Sequence, residues 1–215
     1  MPSSLPDRYH HGDLREALLR AGEEVLAERG IDRFTLRECA RRAGVSHAAP
    51  AHHFHDVAGF LTELAANGFD RLTASMEDAR AAAAPDALAR LHAIGRGYIA
   101  FAVRNRALFQ IMFRCDVLQP AAPSLSRAGG AAFGVLRGAM ADVLAIHRPG
   151  QAPGGPLTLA WSAVHGFATL LIERQLEVVR VHGAATADLE AELGGAMLDL
   201  MVGALLPPVP TLAKS

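Results

Sequence analysis

Apolar residues return every three or four positions along most of this chain, and no stretch holds the period of two that a strand needs. Leu14, Leu18, Ala21 and Val25 mark one face of a first helix, with Glu16, Glu23, Glu24 and Glu28 between them. Asp13 is placed to cap its start and Gly30 to end it. A second, short helix starts at Thr35, because Thr35-Leu36-Arg37-Glu38 has the spacing of a capping box, and Gly44 must stop it. Ser46 is expected to cap a third helix, and Asp56 a fourth that runs through Phe60, Leu64 and Leu72 to about Met76. After a break at 81–86 the pattern predicts longer helices over about 86–104, 106–116, 124–147, 156–180 and 186–205. Pro120, Pro123 and the run from His147 to Pro156 separate some of them, while Val181-His182-Gly183 and Pro207-Pro208 end the last two. The expected fold class is all-α. Residues 1–10 form a tail, 11–71 a small N-terminal helical domain, and 80–208 a larger bundle.

Composition narrows the possible functions. The 215 residues are 51% hydrophobic and 20% charged, which suits a globular chain with a real core. The net charge of -1 rules out nucleic-acid binding through a bulk positive field. Of the basic residues only Lys214 is a lysine. Cys39 and Cys115 lie far apart and form no CxxC knuckle, so neither a disulfide scaffold nor a structural zinc site is expected. The start, MPSSLPDRYHHGDLRE, lacks the apolar stretch of a signal peptide. The most apolar run, Leu157 to Ile172, contains His165 and falls short of the roughly 20 residues of a membrane span. A cytoplasmic protein without membrane or cofactor is the expectation.

The stretch that carries chemistry is Thr35 to Phe54, TLRECARRAGVSHAAPAHHF. Ala40 and Gly44, four residues apart, allow two short helices to cross closely through a tight turn, with Val45 as its apolar plug. This is the pattern of a helix-turn-helix, whose second helix enters the major groove of DNA. Local charge agrees: Arg33, Arg37, Arg41 and Arg42 face only Glu38, and His47, His52, His53 and His55 add donors. A plain helical hairpin with a solvated arginine face has the same alanine-glycine spacing.

The neighbouring words resemble those of TetR/AcrR-family transcriptional regulators. They are Tyr9-His10-His11-Gly12-Asp13-Leu14-Arg15, Gly30, Phe34-Thr35, Ala40-Arg41-Arg42-Ala43-Gly44-Val45-Ser46, His53-Phe54 and Asp56. Ser46-His47-Ala48-Ala49-Pro50 resembles a subset that also carries Trp, His and Gly in its C-terminal half, here Trp161, His165 and Gly166. The resemblance implies a homodimeric, ligand-released repressor that binds double-stranded operator DNA. It places Thr35 on a phosphate, Ser46, His47, Ala48 and Ala49 at the groove-facing start of helix three, and His52 and His53 toward bases or backbone. Arg37 is a further DNA-binding candidate. Two departures stand out: the family usually has a phosphate-binding tyrosine at Ala51 and a phosphate-binding lysine at Val57. Pro50 is a third oddity, since a proline four residues past a Ser46 cap disturbs the first turn.

The C-terminal half suggests a pocket for a small, mostly apolar effector. Phe109, Met112, Phe113, Trp161 and His165 are its candidate lining, although the same side chains suit an ordinary core. Gly194, Gly195, Ala196 and Ala204 would let helices of two subunits approach at a dimer seam. Two other readings compete. One is a helical small-molecule-binding protein with a degenerate helix-turn-helix, suggested by Ala51 and Val57. The other is a metal-dependent enzyme built on the histidines, which the absence of HExxH, GxSxG and a glycine-rich phosphate loop disfavours. No catalytic or metal-binding residue is expected.

Overall fold

In the computed structural model the described residues are 11–178 and 189–205, and all the regular structure among them is helical. The helices are α1 His11–Arg29, α2 Leu36–Arg42, α3 Ala49–Phe54, α4 Val57–Ala82, α5 Ala87–Arg104, α6 Arg106–Met112, α7 Pro123–His147, α8 Gly154–Ile172 and α9 Leu189–Leu205. The expected tail, the Val181-His182-Gly183 stop and the Pro207-Pro208 stop lie outside the described residues.

Helix ends follow the local chemistry, with some corrections. Asp13 lies within α1 rather than ahead of it, and Gly30 ends the helix at φ 70°. The Thr35 hydroxyl caps α2 by accepting the Glu38 N–H at 3.3 Å. Asp56 caps α4, its carboxylate accepting from the Gly59 N–H at 2.7 Å, and Asp86 caps α5 through the Ala89 N–H at 2.7 Å. α4 continues past Met76 to Ala82, so the boundaries expected at 71 and 80 both fall inside one helix. α6 stops at Met112 rather than 116. α8 stops at Ile172 because Arg174, at φ 60°, closes it: the Arg174 and Gln175 N–H groups return to Leu171 and Leu170 carbonyls at 3.1 and 2.8 Å. That closure normally uses glycine, so the sequence carries no sign of it.

Packing groups the chain into two compact units that are discontinuous in sequence. The first comprises residues up to Gly68 together with 107–128. Leu18, Val25, Phe60 and Leu64 form its buried centre. Phe60 is fully buried and packs in tilted geometry against Phe54 and Phe34, at centroid distances of 4.4 and 5.6 Å. The 107–128 segment is fixed to α4 by two polar groups. Buried Thr62 accepts the Gln119 N–H at 2.9 Å, and Glu63 accepts the Ser124 hydroxyl at 2.6 Å while pairing with Arg15 of α1.

The second unit holds 69–106 and the chain from Gly129 onward. α5 lies at its centre, against α8 and α9, with Leu91, Phe101, Met140, Val143 and Leu198 buried. α7 and α8 are long and apolar enough, by length and composition alone, to cross a membrane.

Candidate DNA-binding site

α2 and α3 are too short to be stable alone and exist through their buried sides, Cys39 and Ala40 on α2, Pro50 and Phe54 on α3. The turn between them is a complete glycine closure. Gly44 sits at φ 69°, its N–H bonds the Arg41 carbonyl at 3.3 Å, and the Val45 N–H bonds the Ala40 carbonyl at 3.0 Å.

α3 starts later than Ser46. Its cap is Ala48, which makes no side-chain bond, and Ser46 instead accepts the Ala49 N–H on its carbonyl at 3.0 Å. The shift resolves the Pro50 oddity. Pro50 becomes the second helical residue, where a backbone N–H has no helical partner to lose, and its ring is buried. The other end of α3 is a tight turn at His55, φ 66° and ψ −61°, closed by the Asp56 N–H on the Phe54 carbonyl at 2.8 Å. This positive-φ γ-turn is strained for a histidine. It also explains Gly59, where a Cβ would stand 2.2 Å from the Phe54 oxygen.

Thr35, Arg37, Ser46, His47, Ala48 and His52 are all exposed, Ala49 is half-buried, and half-buried His53 rests its ring beside Phe54. Ala51, His55 and Val57 are exposed as well. Of the residues expected to touch DNA, none is sequestered in the core.

The local arginine excess has a different distribution from the one expected. Arg41 holds Glu38 with two bonds of 2.9 and 2.8 Å, and Arg42 reaches Glu38 at 3.1 Å and Glu28 at 2.8 Å. Arg29 joins at 2.9 Å and Arg42 also approaches Glu24 at 3.8 Å. Three guanidiniums thus face three carboxylates. The hydrogen bonds from Arg41 and Arg42 pull the Glu38 carboxyl down to about 2, and those from Glu28 and Glu38 raise Arg42. Arg33 and Arg37 form no ion pair or hydrogen bond with the described residues, so they are the cations of this segment left for phosphates. The i,i+3 and i,i+4 spacing from Glu38 to Arg41 and Arg42 was the available signal for that neutralisation. Cys39 is buried in α2, and desolvation pushes its thiol up to about 11.

The expected effector residues divide between the units. Phe109 and Met112 are buried in the first, with half-buried Phe113 stacked 5.3 Å from Phe109 and the Met112 sulfur against Gly68. Trp161 and His165 belong to the second. There the Tyr98 hydroxyl meets His165 Nδ1 at 2.8 Å, and the Trp161 ring lies edge-on to that of His165 at 6.5 Å between centroids. Burial lowers the His165 imidazole and raises the Tyr98 phenol. Tyr98 was missed by sequence reasoning, since nothing in the chain links positions 98 and 165 before folding.

Residues 18–64 match the bacterial regulatory proteins of the tetR family, and residues 91–193 match the tetracyclin repressor-like C-terminal domain. Among solved structures, a protein of unknown function from Rhodococcus sp. RHA1 is 34% identical, with 94% of this chain and 100% of that one covered at a TM-score of 0.78. A putative TetR-family transcriptional regulator from Rhodococcus sp. is 23% identical, covering 91% and 100% of the two chains at 0.66. The transcriptional regulator FadR from Bacillus subtilis, in complex with stearoyl-CoA, is 18% identical, covering 87% and 97% at 0.65. No curated protein matches the chain.

Proposed function

The chain belongs to the tetR family of DNA-binding transcriptional regulators, and from that premise we propose that it is a homodimeric repressor released from its operator by a small effector. The observation that carries the proposal is the α2–turn–α3 geometry. It leaves Ser46, His47, Ala48 and His52 facing solvent at a helix start that fits the major groove, beside an uncommitted Arg37. Thr35, at the start of α2, contributes a hydroxyl to a phosphate, while Ala49 and His53 line the edge of the same surface. Lacking the tyrosine and lysine donors at Ala51 and Val57, the protein binds its operator with fewer phosphate contacts and a shallower salt dependence than its relatives.

Dimerisation is supported by apolar surface that the single chain leaves uncovered. Leu159, Trp161 and Leu170 of α8 are 45%, 44% and 39% exposed, and Leu200 of α9 is 77% exposed. Gly194, counted among the small residues of a seam, already lies against Phe167 of its own chain, while Gly195 faces open space. The effector is proposed to be a largely apolar molecule with one hydrogen-bonding group, read in the second unit by His165 and Trp161. The stearoyl-CoA bound by the Bacillus subtilis regulator likewise includes a long apolar chain. Phe109, Met112 and Phe113 act in this reading as packing residues of the first unit. Release requires the effector to favour one of two dimer states.

The test is selection of DNA from a random pool by the full chain, followed by a shift assay of the enriched site at fixed salt. An enriched two-fold site bound by two chains supports the proposal. A folded protein that enriches nothing refutes it and favours the reading in which the helix-turn-helix has decayed.

A further inference from the structure

α3 has six residues and no side-chain cap, so its place in the first unit depends on what holds its buried side chains. The ring of Phe54, its last residue, is met from two other helices. Phe60 of α4 lies 4.4 Å from it between centroids, and the Arg15 guanidinium of α1 stands over it at 5.6 Å, within the range of a cation–aromatic contact. Arg15 in turn pairs with Glu63 of α4. Glu63 follows Phe60 by three positions, so both project from one side of that helix. α4 therefore addresses Phe54 twice, directly through Phe60 and indirectly through Glu63 and Arg15.

Glu63 has a second partner. One carboxylate oxygen pairs with Arg15, and the other accepts the Ser124 hydroxyl at 2.6 Å from the first turn of α7. The Arg15 and Glu63 side chains are 44% and 27% exposed. An ion pair that open to water is weak by itself, because two long side chains must give up rotamer freedom to hold one geometry. A carboxylate already fixed by a hydroxyl has lost part of that freedom, so the Ser124 bond tightens the hold on Arg15. Five residues before Ser124, the Gln119 N–H donates to the Thr62 hydroxyl at 2.9 Å, which anchors the same segment beside Glu63. Among the described residues the Ser124 hydroxyl bonds Glu63 and no residue of α3, so the polar route from Ser124 to α3 runs through Glu63 and Arg15.

We propose that Arg15 and Glu63 are positioning residues that hold α3 through Phe54, and that Ser124 sets how firmly they hold it. The consequence for DNA rests on the reading of α3 as the helix that enters the groove. The experiment is hydrogen exchange of the free full chain, read by mass spectrometry over residues 49–55, together with binding to the selected operator and to scrambled DNA over a salt series. Arg15→Ala and Glu63→Gln should each speed exchange over 49–55 about two- to fivefold, the loss expected for one cation–aromatic contact, with exchange over α5 unchanged. Ser124→Ala should act in the same direction by a smaller factor, and Arg15→Ala combined with Ser124→Ala should match Arg15→Ala alone. On DNA, the ratio of operator to scrambled affinity should fall about two- to fivefold in Arg15→Ala, at an unchanged salt slope. Unchanged exchange over 49–55, equally faster exchange over α5, or effects of Arg15 and Ser124 that multiply independently overturns the relay. A flattened salt slope in Arg15→Ala overturns it too, since Arg15 would then be a phosphate contact. The expected exchange pattern in a chain that binds no DNA supports the positioning of α3 and refutes the DNA reading alone.

Discussion

Arg37 offers a sharp test of how this protein holds DNA. It projects from the first turn of α2, exposed and without a protein partner among the described residues, whereas Arg41, four residues on, is held at 2.8 and 2.9 Å by Glu38. Replacing Arg37 with alanine removes no hydrogen bond or ion pair among the described residues, so folding stability should stay within about 0.5 kcal/mol of the wild type. The effect on DNA is different. Each neutralised phosphate contributes about 0.9 to the slope of log affinity against log salt, so two subunits losing one contact each flatten the slope by about 1.8. Raising salt fourfold, from about 50 to about 200 mM, should therefore cost the variant about 12-fold less affinity than it costs the wild type. Arg41→Ala should leave the slope near the wild-type value. Fluorescence anisotropy with the selected operator over a salt series measures both. An unchanged slope for Arg37→Ala, or equal flattening by Arg41→Ala, would refute the division of these arginines into committed and uncommitted.

Three further outcomes follow from the packing of the first unit. Phe60→Ala empties the space between Phe34 and Phe54 and should cost about 3–5 kcal/mol in urea unfolding, with loss of operator binding; a cost below about 1 kcal/mol contradicts the packing described. His55→Gly relieves the positive-φ turn after α3 and should stabilise the protein by about 0.5–1 kcal/mol, and a destabilised variant would show that the turn is not strained. Glu38→Ala should destabilise the protein near pH 7. The Glu38 carboxyl is lower in the folded than in the unfolded chain, so its contribution is complete above about 4.5 and is lost as pH falls toward about 2. The gap between variant and wild type should therefore close over that interval, and a gap that persists at pH 2 counts against the Glu38 network.

The helices were legible because their signals are local. Thr35, Asp56 and Asp86 cap where their chemistry predicts, and Gly30 and Gly44 take the left-handed backbone. The failures are equally local. Arg174 and His55 adopt positive φ without being glycine or asparagine, so the ends of α8 and α3 had no signature. Ser46 has the right side chain for a cap, but Pro50 sets the frame of α3 and moves the cap to Ala48. Long-range relations were out of reach. The return of residues 107–128 to the first unit depends on Thr62 and Glu63 meeting Gln119 and Ser124, and the tether from Tyr98 to His165 spans 67 positions. At the site, residue identities were readable, and so was the spacing of Glu38 to Arg41 and Arg42, whereas the pairing of Arg42 with Glu28 required the crossing of α1 and α2.

The central claim is that the start of α3 reads bases. Its most direct test is the ratio of specific to non-specific affinity for the His47→Ala, His52→Ala double variant, measured on the selected operator and on scrambled DNA at one salt concentration. The account predicts a loss of about 1–3 kcal/mol on the operator for each base contact removed, with scrambled DNA bound as before. Equal loss on both DNAs, or no loss on either, would contradict it.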